Sequence, residues 1–251
     1  MSRRGDRFAL DGPVGSLEAE LHRPPVEASF RAVVAHPHPL YGGTMDNGVV
    51  MLAVRALVGA GGEALRFNFR GVGASDGEHD EGRGERLDLG AATAALTARQ
   101  PPLPLIIAGY SFGAVMTLEQ MTAAVERKRE GRAAVEPAGV LLIAPPVTHY
   151  RDRDWTLGAI PTVVIYGERD DLTPAPLLES RAASWGPNVR STMIPGVGHD
   201  LGSFAAPRAL EAALESAVAS LSAIAARAVS RAVLGADNKT SGANGKHHSR
   251  S

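Results

Sequence analysis

Gly109-Tyr110-Ser111-Phe112-Gly113 constrains this chain more than any other stretch of it. The five residues read G-x-S-x-G. An apolar run, Leu103-Pro104-Leu105-Ile106-Ile107-Ala108, precedes them, and a run of helical character from Ala114 to Glu130 follows. A serine between a strand and a helix occupies a turn so sharp that its hydroxyl projects above the sheet edge. Small residues two before and two after are needed there, because a Cβ would collide with neighbouring backbone. The same turn aims the amide N–H of Phe112, at the start of the helix, at the point where an oxyanion would form. With 28 glycines in the chain, the bare pattern has some chance of arising by accident. The strand before it and the helix after it make it informative.

The rest of the chain repeats that alternation. Phe8 to Leu21 reads as two strands around the hairpin signal Asp11-Gly12-Pro13. Arg31 to Ala35 is a short apolar run, Val49 to Val58 has helical length, and Ala64 to Phe69 reads as a strand. Arg86 to Arg99 has helical periodicity and stops before Pro101-Pro102. Val140 to Ala144, Thr162 to Tyr166 and Val189 to Ile194 read as strands, and Pro176 to Trp185 and Pro207 to Leu234 as helices. Strands that are continuous Val/Ile/Leu/Ala runs, separated by helices, predict an α/β fold: a mostly parallel central sheet with helices on both faces. In such sheets reactive groups collect on loops at the carboxyl ends of strands.

Composition narrows the function classes. The chain has 251 residues, 44% hydrophobic and 21% charged, which suits one globular domain with a sizeable core. A net charge of −1 gives no electrostatic reason to expect nucleic acid or an anionic membrane as a partner. Cysteine is absent, so there is no disulfide, thiolate metal site or thiol nucleophile. Met1 to Arg7 is basic but no apolar stretch follows, and no run of about 18 apolar residues occurs anywhere. The expectation is a cytoplasmic protein with no membrane span.

A serine hydroxyl is a poor nucleophile unless a base takes its proton and a third group orients that base. Downstream, Thr162 to Tyr166 runs into Gly167-Glu168-Arg169-Asp170-Asp171-Leu172-Thr173-Pro174. Val189 to Ile194 runs into Pro195-Gly196-Val197-Gly198-His199-Asp200. Both put candidates just past a buried strand. The set is therefore Ser111 as nucleophile, Asp170 as acid and His199 as base. Asp170 is preferred to Asp171 because it leaves the strand first, while Asp171 suits a solvent-facing turn. A second oxyanion donor must come from the loop His36-Pro37-His38-Pro39-Leu40-Tyr41-Gly42-Gly43. Proline has no N–H. That leaves His38 as first choice beside Phe112, with Leu40 or Tyr41 as alternatives.

Metal and cofactor readings are weaker. His36 and His38 stand two apart in an extended segment and point to opposite sides, with no carboxylate or thiolate cluster to complete a site. His36 reads better as a buried histidine bonded to the neighbouring glycine-rich turn. Gly71, Gly73 and Gly77 near a strand end suggest a phosphate-cradling loop. They lack the Lys-Ser/Thr helix start, however, and do not belong to the first strand–helix unit. Their expected role is tight packing beside the site, with Arg70 and Asp76 pinning the loop. No cofactor and no metal are expected.

The segment His36-Pro37-His38-Pro39-Leu40-Tyr41-Gly42-Gly43-Thr44-Met45-Asp46-Asn47 resembles the signature of short, lidless bacterial α/β-superfamily hydrolases related to dienelactone hydrolase-like proteins. Phe67 to Gly77, Gly82 to Asp88, Gly109 to Gly113, Gly167 to Pro174 and Gly198-His199 fit the same group, so the likeness spans about Phe8 to Leu221. The resemblance implies the α/β-hydrolase fold and a serine hydrolase with nucleophile Ser111, acid Asp170 and base His199. It implies no defined substrate. Two departures stand out. Asp200-Leu201 follows His199 where an aromatic pair is common, which implies a different pocket wall. The chain also continues beyond Leu221 in an extra helical stretch.

Between the strand ending at Ala144 and the one starting at Thr162, Pro145 to Pro161 is too short for a cap domain. An open site is expected, suited to small acyl esters, and a carboxylesterase is the expected activity. An acyltransferase or thioesterase with the same triad and a non-catalytic binding module are the alternatives. The domain is expected to end at residue 234, followed by a disordered polar tail over 235–251, in which His247-His248 are tail residues rather than metal ligands. The last helix, Pro207 to Leu234, would be about 40 Å long, more than the sheet needs for cover. Its excess turns, Ile224 to Leu234, are expected to contribute to a homodimer contact.

Overall fold

The computed structural model describes residues 5–203 and 207–241, with side chains through residue 227. Two strands, β1 (Asp6–Gly12) and β2 (Gly15–His22), form the opening hairpin. Then come β3 (Phe30–Ala35), α1 (Gly48–Gly59), β4 (Gly62–Phe67), α2 (Arg83–Thr97), β5 (Leu105–Tyr110) and α3 (Phe112–Arg129). The second half is β6 (Gly139–Ile143), β7 (Thr162–Gly167), α4 (Ala175–Trp185), β8 (Val189–Ile194) and α5 (Pro207–Ser241).

The strands join one eight-stranded sheet in the order β1-β2-β4-β3-β5-β6-β7-β8. The first two pairings, β1 with β2 and β2 with β4, are antiparallel. From β4 across to β8 every pairing is parallel. Every residue of β3, β4, β5, β6 and β7 is buried, as expected of parallel strands covered on both faces. One face carries α2, α3 and α4 through Leu89, Val115, Leu118, Leu178 and Trp185. The opposite face carries α1 and α5 through Val50, Val54, Leu57, Leu214 and Val218. Residues 144–161 hold no helix or strand, so no cap is inserted between β6 and β7.

The end of the chain departs from expectation. Helix α5 does not stop at Leu234; it continues to Ser241, through part of the segment expected to be disordered. No proline interrupts it, and one glycine, Gly235, costs only about 1 kcal/mol in a helix that is already nucleated. The rest of the expected tail, 242–251, lies outside the described residues. The apolar stripe of α5 packs on the sheet at Leu210, Leu214, Ala217, Val218, Leu221 and Ala225, all buried. By length and composition alone Pro207–Arg227 is apolar enough to cross a membrane, contrary to the expectation of no such segment. In this fold it is a covering helix. Of the expected dimer contact, Ile224 is part-exposed, and the side chains from residue 228 onward lie outside the described residues.

Candidate active site

The carboxyl ends of β5, β7 and β8 meet at one edge of the sheet and bring three sequence-predicted side chains together. Ser111 stands between β5 and α3 with φ 53° and ψ −115°, a left-handed backbone that a side chain rarely adopts. Two glycines make the turn possible. A Cβ on Gly109 would lie 2.2 Å from the Gly113 carbonyl oxygen, and one on Gly113 would lie 2.4 Å from that of Ala35. The start of α3 is therefore pressed against the end of β3. The Ser111 amide donates to Ile143 at 2.8 Å, which ties the turn to the neighbouring strand.

Ser111 Oγ is 2.8 Å from His199 Nε2, and His199 Nδ1 is 2.9 Å from Asp170 Oδ2. The other Asp170 oxygen accepts from the amides of Leu172 at 2.9 Å and Thr173 at 3.1 Å. A carboxylate held by two amides is fixed in orientation. Opposite it, the His199 proton belongs on Nδ1, which leaves Nε2 as the acceptor facing the serine hydroxyl. Asp170 is 3% exposed, whereas Asp171 points to solvent and does not reach His199. The arrangement can take a proton from Ser111 and compensate the imidazolium that results.

The His199 loop is held from two sides. The Arg169 amide donates to Val197 at 2.9 Å, and Gly167 admits that approach because a Cβ there would lie 2.5 Å from Val197 oxygen. From the other side the Tyr110 hydroxyl donates to the His199 carbonyl at 3.0 Å. Sequence reasoning misses this second tie. Its one signal is position, since Tyr110 is the first variable residue of the five-residue motif.

The His36–Gly43 loop lies against the start of α3. His38 accepts at Nδ1 from the Leu40 amide at 3.2 Å, and its carbonyl accepts from Tyr41 and Gly43 at 3.1 and 3.0 Å. The amides of Leu40 and Tyr41 are thus engaged. The His38 amide has no acceptor among the described residues. His36 is fully buried: its Nε2 accepts from the Phe69 amide at 3.0 Å and its Nδ1 donates to Pro37 at 2.6 Å. Burial pulls its pKa down to about 4, so it is neutral and both ring nitrogens are occupied. Among the described residues no group of three or more His, Cys, Asp or Glu could hold a metal ion.

The neighbouring loop is pinned at Arg70 and Asp76 by separate partners. Arg70 pairs with the fully buried Asp88, Nη2 to Oδ1 at 2.7 Å and Nε to Oδ2 at 2.9 Å. Asp76 instead accepts from the Ser16 amide at 2.7 Å. Leu201, expected in a pocket wall, is fully buried in the core under α1 and α5. Its left-handed φ of 55° turns the chain inward just after His199.

A sheet parallel from β4 to β8, with a serine turn after β5, an acid after β7 and a histidine after β8, defines the α/β-hydrolase fold. Known proteins narrow this further. The chain is similar to an α/β serine hydrolase homologue from Coxiella burnetii, 30% identical with a TM-score of 0.71, over 86% of this chain and 98% of that one. It is similar to a lidless α/β serine hydrolase from Xanthomonas campestris, 31% identical with a TM-score of 0.74, over 87% of this chain and 95% of that one. An uncharacterised protein of Rickettsia prowazekii is 36% identical over 170 residues, 66% of this chain and 67% of the relative. No protein-family profile matches. The chain belongs to the α/β serine hydrolases without a lid. The finer likeness to dienelactone hydrolases is not supported by these relatives.

Proposed function

We propose that this protein is a carboxylesterase that cleaves small acyl esters through an acyl-enzyme on Ser111. The observation that carries the reading is the unbroken relay from Ser111 through His199 to Asp170, with contacts of 2.8 and 2.9 Å. His199 Nε2 takes the hydroxyl proton as Ser111 Oγ attacks the ester carbonyl carbon. Asp170 holds the imidazole tautomer and stabilises its charge. The tetrahedral oxyanion is held by the amides of Phe112 and His38. Phe112 is the first residue of α3, where an amide has no intrahelical partner, and the His38 amide is likewise free among the described residues. Each such donor contributes about 3 kcal/mol to the transition state. Collapse of the intermediate expels the alcohol with the proton from His199, and a water activated by His199 then releases the acid.

The short β6–β7 connection supports an open site and a preference for acyl chains of about C2 to C6, since little apolar wall stands ready to bury a longer one. The test is labelling with a fluorophosphonate and turnover of p-nitrophenyl esters of increasing length. Wild type is expected to label and turn over, and Ser111→Ala to do neither, with a rate loss of at least about a thousandfold. If the alanine variant keeps more than about a tenth of wild-type turnover, Ser111 is not the nucleophile. A length profile peaking at C12 or beyond removes the small-ester part of the reading.

A further inference from the structure

The second proposed oxyanion donor, the His38 N–H, belongs to a peptide unit that is gripped at its opposite edge. The Pro37–His38 bond is trans, so the Pro37 carbonyl and the His38 N–H share one plane and point in opposite directions. Whatever fixes the carbonyl therefore fixes the N–H. His36 Nδ1 lies 2.6 Å from the Pro37 oxygen. A carbonyl only accepts, so this nitrogen carries the ring proton. The other nitrogen, Nε2, faces the Phe69 amide at 3.0 Å, and an amide N–H only donates. The two partners leave one tautomer for the ring, and burial keeps it neutral.

The ring is itself fixed. It is fully buried and packs 4.7 Å from the Phe69 ring, which in turn meets the Phe112 ring edge-on at 5.7 Å. The His36 main chain lies against the start of α3, since a Cβ on Gly113 would be 2.7 Å from the His36 oxygen. Gly43 closes on the same peptide unit. A Cβ there would lie 2.1 Å from the Pro37 oxygen and 2.6 Å from the His38 oxygen, and the Gly43 amide donates to His38 at 3.0 Å. Of the main-chain polar groups of Pro37 and His38, both carbonyls are engaged. The His38 N–H alone is left without a partner among the described residues.

We propose that His36 is a positioning residue for the oxyanion hole: its Nδ1–H grips the Pro37 carbonyl and thereby turns the His38 N–H toward the oxyanion formed on Ser111. The inference rests on the esterase reading above, which makes His38 a donor. It gives a share of the rate to a side chain that touches no reacting atom. Without the grip, the peptide plane rotates about its flanking bonds and the N–H leaves the oxyanion. A donor to charge that exists only in the transition state changes kcat and leaves KM alone.

Two substitutions separate the two bonds of the ring. Asparagine carries an N–H near the place of Nδ1 and nothing at Nε2, whereas glutamine reaches the place of Nε2 and leaves that of Nδ1 empty. On p-nitrophenyl butyrate, His36→Asn is expected to keep kcat within about threefold of wild type. His36→Gln is expected to lose about tenfold or more in kcat, with KM within about twofold. The spectroscopic readout is the adduct of the full-length protein with a trifluoromethyl ketone isotopically labelled at its carbonyl carbon. The hemiketal oxygen of that adduct occupies the place of the oxyanion, and the carbon signal titrates as it ionises. The titration is expected at the same pH in wild type and His36→Asn, and about one unit or more higher in His36→Gln. The pH profile of kcat/KM, which reports His199, is expected to be the same in all three.

Wild-type kcat in His36→Gln overturns the assignment. So does a loss of kcat with the hemiketal titration unmoved, which marks a merely structural role. Melting curves show whether the variants fold. If His36→Gln does not, wild type with isotope-labelled histidine and proline decides by NMR. The assignment then requires a hydrogen-bond coupling between His36 Nδ1 and the Pro37 carbonyl carbon in the hemiketal complex, and a bare Nδ1 there overturns it. Wild type that turns over no ester and forms no adduct removes the esterase reading, and this inference falls with it. An active wild type beside an equally active His36→Gln removes the inference alone.

Discussion

Tyr110 and His199 are joined twice. The phenol hydroxyl donates to the His199 main-chain carbonyl at 3.0 Å, and the two rings stack 5.7 Å apart at 29°. Tyr110 is the residue immediately before Ser111. The segment that carries the proposed nucleophile therefore also holds the main chain of the proposed base, and one short stretch of backbone sets the spacing between them. Tyr110 is buried, and burial with the nearby Asp170 and Asp200 carboxylates raises its pKa, so the hydroxyl stays a donor at any pH the fold tolerates.

Tyr110→Phe isolates that tie, because the ring remains. We expect kcat to fall about tenfold with KM within about twofold, since His199 loses its position and substrate contacts do not change. The unsatisfied His199 carbonyl should lower stability by about 1–2 kcal/mol. Steady-state kinetics with a thermal melt checks both. A rise in KM at constant kcat would instead place Tyr110 among the groups that bind substrate.

Asp170→Asn should lose on the order of 10³–10⁴ in kcat/KM, because an amide opposite His199 Nδ1 favours the wrong tautomer. Asp171→Asn should stay within about twofold of wild type, since that side chain faces solvent. Measuring both variants on one ester ranks them. The reverse ranking would transfer the acid role to Asp171.

Buried His36 makes stability depend on pH in one direction. Its pKa is about 4 in the fold against 6.5 in the open chain. Between those values the unfolded chain binds a proton that the folded chain does not, so acid favours unfolding. Stability is complete above the unfolded value and falls as the pH drops through this window. The loss levels off below the folded value, where it amounts to about 3 kcal/mol. Denaturant midpoints across the window should show this slope in wild type and a flatter one in His36→Asn, which has no group to titrate there.

The glycines divide by what surrounds them. Gly113→Ala sets a Cβ 2.4 Å from Ala35 oxygen and 2.7 Å from His36 oxygen, both main-chain atoms that cannot step aside. A loss of about 3 kcal/mol or more is expected. Gly59→Ala, at the end of α1 with nothing within 4 Å, should gain about 0.5–1 kcal/mol. Melting temperatures of the two variants give the comparison.

Much of this architecture is legible from residue order, for identifiable reasons. Buried parallel strands such as Leu105–Tyr110 and Thr162–Gly167 are continuous apolar runs, and each is followed by a turn residue that stops it. Ser111, Asp170 and His199 follow three of these strands, so finding the strands finds the candidates. That Asp170 rather than Asp171 meets His199 is legible too, because leaving a strand first is a geometric property.

What residue order does not show depends on where a side chain lands across the sheet. Arg70 meets Asp88 on α2 rather than Asp76 in its own loop, since the guanidinium turns toward the helix. Leu201 turns into the core because of its own positive φ. The Tyr110 tie is settled by how loops fold back on the sheet, and no local pattern announces it. The end of α5 escapes a reading by composition, because polar residues that would not start a helix can still propagate one.

His199 rides on β8, the last strand of the sheet. Among the described residues that strand pairs with β7 alone, and Arg190 through Met193 are exposed. Ser111 follows β5, which is flanked by partners on both sides. An edge strand opens at lower free energy than a central one. Heat should therefore silence this protein before it melts it: the proposed proton relay, which spans from the centre of the sheet to its margin, is only as durable as the margin, and cooling should restore it without refolding the core.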